Sequence, residues 1–285
     1  MMMRKYYRFG GLELLVEIPE SCAYREEWHL SPFRVDAADD PHRFHFEYVD
    51  ELTEPAGKCY VKQPNFRLYS LPSGHIRYIG GEHAYICAEH TGKLHWVQVK
   101  RNPYTDVIGV KIVLESLEIE HLIARNYGFV FHCSYIDYNG KAILFTAPSE
   151  TGKSTQAELW HQHRGAQIIN GDRAAVRLVD DVLMAEGIPF AGSSGYCKNR
   201  SLPIAAIVHL EQAPRTSIRK LRGYEAFSKI WEGVSVNTWD KEDMELVSGV
   251  VQKVAEKIPI YHLPCTPDES AVIALEEALR KQVSL

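Results

Sequence analysis

Nine consecutive residues, Ala147, Pro148, Ser149, Glu150, Thr151, Gly152, Lys153, Ser154 and Thr155, carry the strongest chemical signal in the chain. Apart from Ala147 in the place of the first glycine, they fit the phosphate-binding pattern G-x-x-x-x-G-K-[ST]. In such a loop, backbone N–H groups turn inward toward phosphate oxygens. The lysine reaches the terminal phosphates and the hydroxyl of the next residue sits on a magnesium ion. Lys153 and Ser154 occupy those two positions. The elements that must hold them are readable on either side. Residues 141–146 form a short apolar run, expected as a buried strand, and residues 154–163 read as a helix. Strand, loop, helix is the required setting, because the helix N-terminus brings its positive dipole end to the site.

An acid follows soon after, at Asp172 in the run Ile168, Ile169, Asn170, Gly171, Asp172. A carboxylate there suits magnesium binding or the orientation of an acceptor hydroxyl. Aspartate after Asn-Gly is equally the composition of an ordinary turn. His132 lies on an apolar strand upstream and reads either as a hydrogen-bonded strand residue or as a group that orients Asp172 or touches a phosphate. Glu186, at a strand end before Gly187, is a candidate second metal ligand; the other reading is simple surface exposure. Arg200 follows Lys198 in a loop rich in Gly, Ser and Pro. Its bidentate fork suits phosphate, and a solvated loop charge is the alternative. His161 and His163 are two apart on a helix, so they point in different directions and make no metal pair. Asp180 and Asp181 read as a turn, and Cys133 and Cys197 as structural.

The chain has 285 residues, enough for one large or two smaller domains with real cores. A net charge of −5 gives no basic footprint, so nucleic acid is not an expected partner. No apolar run approaches membrane-spanning length, and the basic N-terminus has no apolar stretch behind it, so neither a membrane anchor nor a signal peptide is expected. Six scattered cysteines with no C-x-x-C pair argue against a disulfide framework and against a zinc site; the cytoplasm is the expected compartment.

Residues 1–110 carry short alternating runs at 12–18, 66–71, 75–79 and 94–99, separated by turn residues, and read as a small β-rich domain. The polar stretch 36–45 reads as a surface loop. Apolar residues at helical spacing predict one helix over 113–125, with two sets on different faces. Residues 111–285 form the second domain. Strands are expected at 129–136, 141–146, 166–169, 175–179, 182–185, 204–210 and 258–263. A loop is expected at 187–203, and helices at 224–232, 241–256 and 267–281. Asn139-Gly140 marks a tight hairpin. Tight turns rather than crossover helices after residue 166 predict antiparallel neighbours, and so a mixed sheet.

This arrangement resembles HPr kinase/phosphorylase, a bacterial serine kinase related in fold to ATP-dependent phosphoenolpyruvate carboxykinase, over roughly residues 127–265. Three places carry the resemblance: the loop at 147–155, His132 on the strand before it, and 168–172 with Asp172 at the second acid of the family's L-V-A-D-D segment. Ala147 and Glu150 stand where the family has glycines, and Gly171 stands where it has the first acid. The stretch 187–200 is more like a loop of HPr-kinase-like proteins found with peptide-modification systems. The resemblance implies an α/β, phosphoenolpyruvate carboxykinase/HPr kinase-like mixed sheet behind the β-rich N-terminal domain. It implies ATP and Mg2+ as cofactors, with Lys153, Asp172 and His132 as catalytic residues and Ser154 and Asp172 on the metal. The reaction implied is γ-phosphoryl transfer to a hydroxyl, on a serine of a protein or peptide. A carboxykinase-like enzyme acting on a small acid and a non-catalytic nucleotide-binding module are the alternatives. The acceptor is not named by the sequence, and the oligomeric state stays open, a homo-oligomer included.

Overall fold

The computed structural model describes residues 1–26, 29–55, 57–102, 105, 107–192 and 194–283. The chain divides into two compact units, Met1–Ile119 and Glu120–Leu285, where the sequence placed the division at 110/111. Both are built on mixed sheets, and the chain as a whole is mixed α/β.

The first unit holds β1 (Met2–Phe9), β2 (Leu12–Pro19), β3 (Ala23–Tyr24), β4 (Arg34–Val35), β5 (His42–Val49), β6 (Cys59–Lys62), β7 (Phe66–Leu71), β8 (Gly74–Ile79), β9 (Ile86–Thr91), β10 (Leu94–Lys100) and β11 (Val107–Ile108). Nine of these form one sheet in the order β4-β1-β2-β5-β10-β9-β8-β7-β6. β5 is parallel to both β2 and β10, and the other pairs are antiparallel. β5 corrects the expected loop over 36–45. From His42 onward the polar residues alternate with inward-facing Phe44 and Phe46, both fully buried, and this period-2 pattern commits the segment to a central strand. The helix expected over 113–125 is also corrected. It is two helices, α1 (Val110–Ser116) and α2 (Ile119–Arg125), parted at Leu117 and Glu118, with Glu118 at φ 48. The first apolar set, at 113, 114 and 117, falls on α1 and the break after it, and the second, at 119, 122 and 123, falls on α2.

The second unit continues with β12 (Gly128–His132), β13 (Ser134–Tyr138), β14 (Lys141–Thr146), α3 (Lys153–Arg164), β15 (Gln167–Asn170), β16 (Arg173–Val179) and β17 (Val182–Gly187). It is completed by β18 (Ser201–Gln212), β19 (Arg219–Leu221), α4 (Gly223–Trp231), β20 (Val234–Ser235), α5 (Lys241–Lys257), β21 (Ile260–Cys265) and α6 (Glu269–Val283). The sheet runs β15-β13-β14-β18-β17-β16-β12-β20, with β21 also paired to β18. β14·β18 and β18·β21 are parallel, and the pairs β13·β14, β16·β17 and β17·β18 are antiparallel. The mixed sheet expected from the tight turns is therefore present. The turns are the ones the residues favour: Asn139 (φ 54) with Gly140 (φ 76), and Asp180 (φ 47) with Asp181 (φ 64), pair positive-φ residues as two-residue hairpins require.

β14 shows why its run is apolar throughout. Ala142 and Leu144 face a core shared with Val247, Val251 and Ile230 of α5 and α4, whereas Ile143 and Phe145 face Trp160 of α3 and Leu275 of α6. Helices cover both faces, so neither set of alternate residues meets water. Trp160 is fully buried, 4.9 Å edge-on to Tyr138 and 6.4 Å from Phe145, and locks α3 against the strand that feeds it. Gly165 (φ 65) ends α3 with its N–H on His161 O, as a left-handed C-cap does.

Two further expectations change. The strand over 129–136 is two strands separated at Cys133: β12 pairs with β16 and β20, and β13 with β14 and β15. The loop over 187–203 ends earlier, because β18 already begins at Ser201 and pairs Ser201 to Glu186. Ser193 of that loop lies outside the described residues. None of the six cysteines, all of them among the described residues, is in a disulfide. Among the described residues no helix is long and apolar enough to cross a membrane.

Candidate functional site

The break in the sheet is what assembles the site. Residues 128–138 run antiparallel to residues 167–179, with His132 opposite Arg173 and Tyr135 opposite Asn170. Both segments interrupt at the same level, at Cys133 and at Gly171–Asp172. Cys133 N–H donates to Asp172 O at 3.0 Å, and Ser134 Oγ donates to Gly171 O at 3.2 Å, so the interruption is itself pinned. Fully buried Asn170 completes it. Its Oδ1 accepts from the N–H groups of Asp172 (2.9 Å) and Arg173 (3.0 Å), and its Nδ2 donates to Ile188 O at 3.0 Å. The Asn-Gly-Asp turn chemistry read from the sequence is thus present, and it aims a carboxylate.

That carboxylate has two partners. Asp172 Oδ1 lies 3.2 Å from His132 Nε2, and Oδ2 lies 3.2 Å from Arg173 Nε, without hydrogen-bond alignment at the guanidinium, so the second contact is electrostatic. The His132 bond outweighs burial and, with Arg173 and Lys153, holds Asp172 below the usual aspartate range. His132 is fixed through its backbone: its N–H donates to Gly233 O at 2.7 Å and its carbonyl accepts from Thr146 Oγ1 at 3.1 Å. Thr146 is the last residue of β14, so one hydrogen bond ties the histidine to the start of the loop.

The loop over 147–152 then turns into α3. Gly152 stands at φ 112 and Glu150 at φ 64. The first is glycine's ordinary privilege; the second is a strained place for an L-residue, and it is one of the two positions where the resembled family has glycine. Lys153 folds back under the loop. Its Nζ donates to Ala147 O at 2.9 Å and Pro148 O at 3.2 Å, and the residue is 8% exposed. Burial lowers its pKa, while Cys133 and Asp172 pull the other way. Pro148, Ser149, Glu150, Ser154 and Thr155 are exposed, and Thr151 and Gly152 are half-buried. A buried cation thus lies under an exposed rim of loop backbone at the N-terminus of α3.

The structure brings Lys153, Asp172 and His132 to one end of the sheet, and it separates two other candidates from them. Arg200 Nη2 reaches Asp137 Oδ2 at 3.3 Å. β18 runs parallel to β14, so the residue before β18 lies where β14 begins, whereas the loop follows where β14 ends; Asp137 accordingly pairs with Ala142. Arg200, expected on a phosphate, thus lies at the other end of β14 from the loop in this structure. Glu186 is committed elsewhere too, to Arg177 Nη1 at 3.0 Å and Ser201 Oγ at 3.3 Å. The Gly-Ser loop does touch the site, through glycine packing. A Cβ on Gly192 would lie 2.9 Å from Asp172 Cβ, and one on Gly171 would lie 2.5 Å from Ser194 Cβ. The first-acid position of the resembled family is therefore filled from outside by Ser194.

Sequence reading missed three neighbours. His209, opposite Thr146 on β18, is buried, with Nε2 3.1 Å from Glu232 Oε2 and Nδ1 without a hydrogen-bond partner. Gln212 Nε2 donates to Glu150 O at 3.3 Å. Gln156 lines a cavity of about 390 Å³ beside the loop, with Thr151, Leu210 and Cys265. None belongs to a motif; the parallel register of β14, β18 and β21 brings His209 and Gln212 beside the loop, and Gln156 follows the loop on α3.

No protein-family model matches the chain, and no curated protein matches it. Among solved structures, the HPr(Ser) kinase/phosphatase from Coxiella burnetii aligns at a TM-score of 0.33 with 12% identity, over 54% of this chain and 89% of that one. A likeness of that degree fixes neither a family nor an activity.

Proposed function

We propose that the second unit is an ATP- and magnesium-dependent phosphotransferase that moves the γ-phosphoryl group to a hydroxyl, on a serine of a protein or peptide. The observation that carries this is the convergence of Lys153, under its loop, with an Asp172 carboxylate held ionised by His132. Phosphoryl transfer depends mainly on positioning and on charge neutralisation. Lys153 supplies a cation below the loop, and backbone N–H groups supply dipoles around it. Exposed Ser154 and ionised Asp172 form an oxygen donor set suited to a hard divalent cation. When bound, magnesium supplies charge neutralisation on the phosphate oxygens. Asp172 orients the acceptor hydroxyl and receives its proton as the O–P bond forms and ADP leaves. His132 keeps that carboxylate aimed.

The cavity beside the loop supports a nucleoside there. Gln156 Oε1 is buried without a hydrogen-bond partner, an acceptor suited to an exocyclic amine. A passive nucleotide-binding module is the second reading, favoured by Gly171 and its Ser194 neighbour in place of an acid. The test is incubation of the full chain with γ-labelled ATP, magnesium and peptide or lysate acceptors, with nucleotide affinity measured by calorimetry in parallel. Lys153→Ala is expected to remove most of the affinity at unchanged fold. Equal binding by both proteins would remove the site; binding without any transfer or hydrolysis would leave the passive module.

A further inference from the structure

A second cluster of chemistry-bearing side chains lies in the first unit. Three histidines stand side by side across adjacent strands: His75 on β8 is opposite His90 on β9, and His90 is opposite His95 on β10. Residues directly opposite in antiparallel pairs share a face, so the three imidazoles form a row. The rings of His75 and His90 stack at 5.1 Å, and His95 stacks on Phe44 of β5 at 4.1 Å. Glu118, from the break between α1 and α2, is delivered onto this row, buried and with its backbone at φ 48. Its Oε2 lies 2.7 Å from His75 Nε2 and 3.8 Å from His90 Nε2. Its other oxygen, Oε1, is 3.7 Å from Arg77 Nη1, so the oxygen left for a cation is the one both histidines face.

We propose that His75, His90 and Glu118 bind a divalent transition-metal ion, zinc by donor set, independently of the nucleotide reading. Two imidazole nitrogens and one carboxylate oxygen are a borderline-soft set suited to Zn2+ rather than to Mg2+ or Ca2+. Their ligand atoms all lie within 4.8 Å of one another. With zinc–ligand bonds of about 2.0–2.1 Å, tetrahedral ligands stand roughly 3.3 Å apart, and the two separations to Glu118, 2.7 and 3.8 Å, bracket that value. The support behind it is built as well. His90 Nδ1 is 2.8 Å from His95 Nδ1, and His95 Nε2 is 3.1 Å from His42 Nδ1. When His90 donates Nδ1–H to His95, and His95 donates Nε2–H to His42, the Nε2 lone pair of His90 points at the proposed metal position. Fixing a ligand's tautomer through its far nitrogen is a common second-layer device in zinc sites. Metal binding leaves the His75 proton on Nδ1 or releases it to solvent. Three protein ligands leave a fourth position for water or a small anion, and His75, whose side chain is 21% exposed, marks the open side.

The test uses the full chain, stripped with chelator, loaded with ZnCl2 or CoCl2 and gel-filtered. Wild type is expected to retain one zinc per chain and, with cobalt, to show the strong visible absorption of a four-coordinate ion. His90→Gln and Glu118→Gln are expected to lose both signals. His95→Phe, which keeps the stack on Phe44, is expected to weaken zinc binding about 10- to 100-fold. Absence of zinc from wild type, or equal retention by His90→Gln and Glu118→Gln, overturns the proposal; the second result would place the zinc on others of the 13 histidines. If circular dichroism shows both variants unfolded, the wild-type cobalt spectrum decides. Four-coordinate absorption supports the site, and the weak spectrum of six-coordinate aqueous cobalt overturns it.

Discussion

Replacing Asp172 with asparagine separates the two functional readings most cleanly, because the side chain keeps its shape and loses its charge. Its structural cost is bounded by the geometry. The carboxylate makes one hydrogen bond, to His132, and one unaligned ionic contact, to Arg173, and its side chain is 26% exposed. At that exposure the lost ionic interactions amount to about 1 kcal/mol, a shift of roughly 2–4 °C in the melting temperature of a unit this size. The backbone bonds from Asp172 N–H to Asn170 and from Cys133 N–H to Asp172 O do not depend on the charge and persist. The catalytic cost is larger. Removing one preorganised electrostatic group from a phosphoryl-transfer site costs about 3 kcal/mol in the transition state, on the order of a hundredfold in rate. Nucleotide affinity changes far less, since Lys153 and the loop backbone are untouched. The assay is single-turnover transfer from γ-labelled ATP, with dissociation constants measured on the same preparations. Equal rates for wild type and Asp172→Asn, or a loss of affinity that accounts for the whole loss of rate, would refute the role given to this carboxylate.

Other outcomes follow from local geometry. Glu150→Gly removes a left-handed strain of about 1 kcal/mol, partly offset by glycine's freer unfolded chain, and is expected to raise stability by about 0.5 kcal/mol in urea titration; a lower midpoint would contradict the strain argument. Gly171→Asp, which restores the acid of the resembled family, is expected to destabilise by about 1–3 kcal/mol, because its Cβ meets Ser194. Adding Ser194→Gly should recover part of that loss, and no recovery would mean that the clash lies elsewhere. Burial, with Lys229 adding, lowers the pKa of His209 below 6.5 against the opposing pull of Glu232; His262 stands nearby with its ring 5.8 Å away. Its stabilising contribution is therefore whole above about pH 6.5 and is lost as the pH falls through the depressed value. Melting temperatures between pH 7.5 and 5 should drop more steeply for wild type than for His209→Asn, and parallel slopes would exclude the effect.

Local sequence determined the pieces that local physics can build. The apolar run of β14, the loop at 147–152, the helix after it and the Asn139-Gly140 hairpin lie within 26 consecutive residues of one another, from Asn139 to Arg164. Periodicity, left-handed turn residues and a cap act over a few residues and need no distant partner. The tight turns also announced the mixed sheet. Tertiary structure alone decided where His132 meets Asp172, because that meeting depends on two segments breaking at the same level of a shared ladder. It alone sent Arg200 to the opposite end of β14, because the parallel pairing with β18 cannot be read from either strand. The histidine row and Glu118 carry no motif at all. Their spacing along the chain is arbitrary, and only strand register, which is fixed by the burial of whole faces, lines up His75, His90 and His95. Glu118 reaches them from the break between α1 and α2, at φ 48, and a two-faced apolar pattern along the chain does not by itself tell one helix from two.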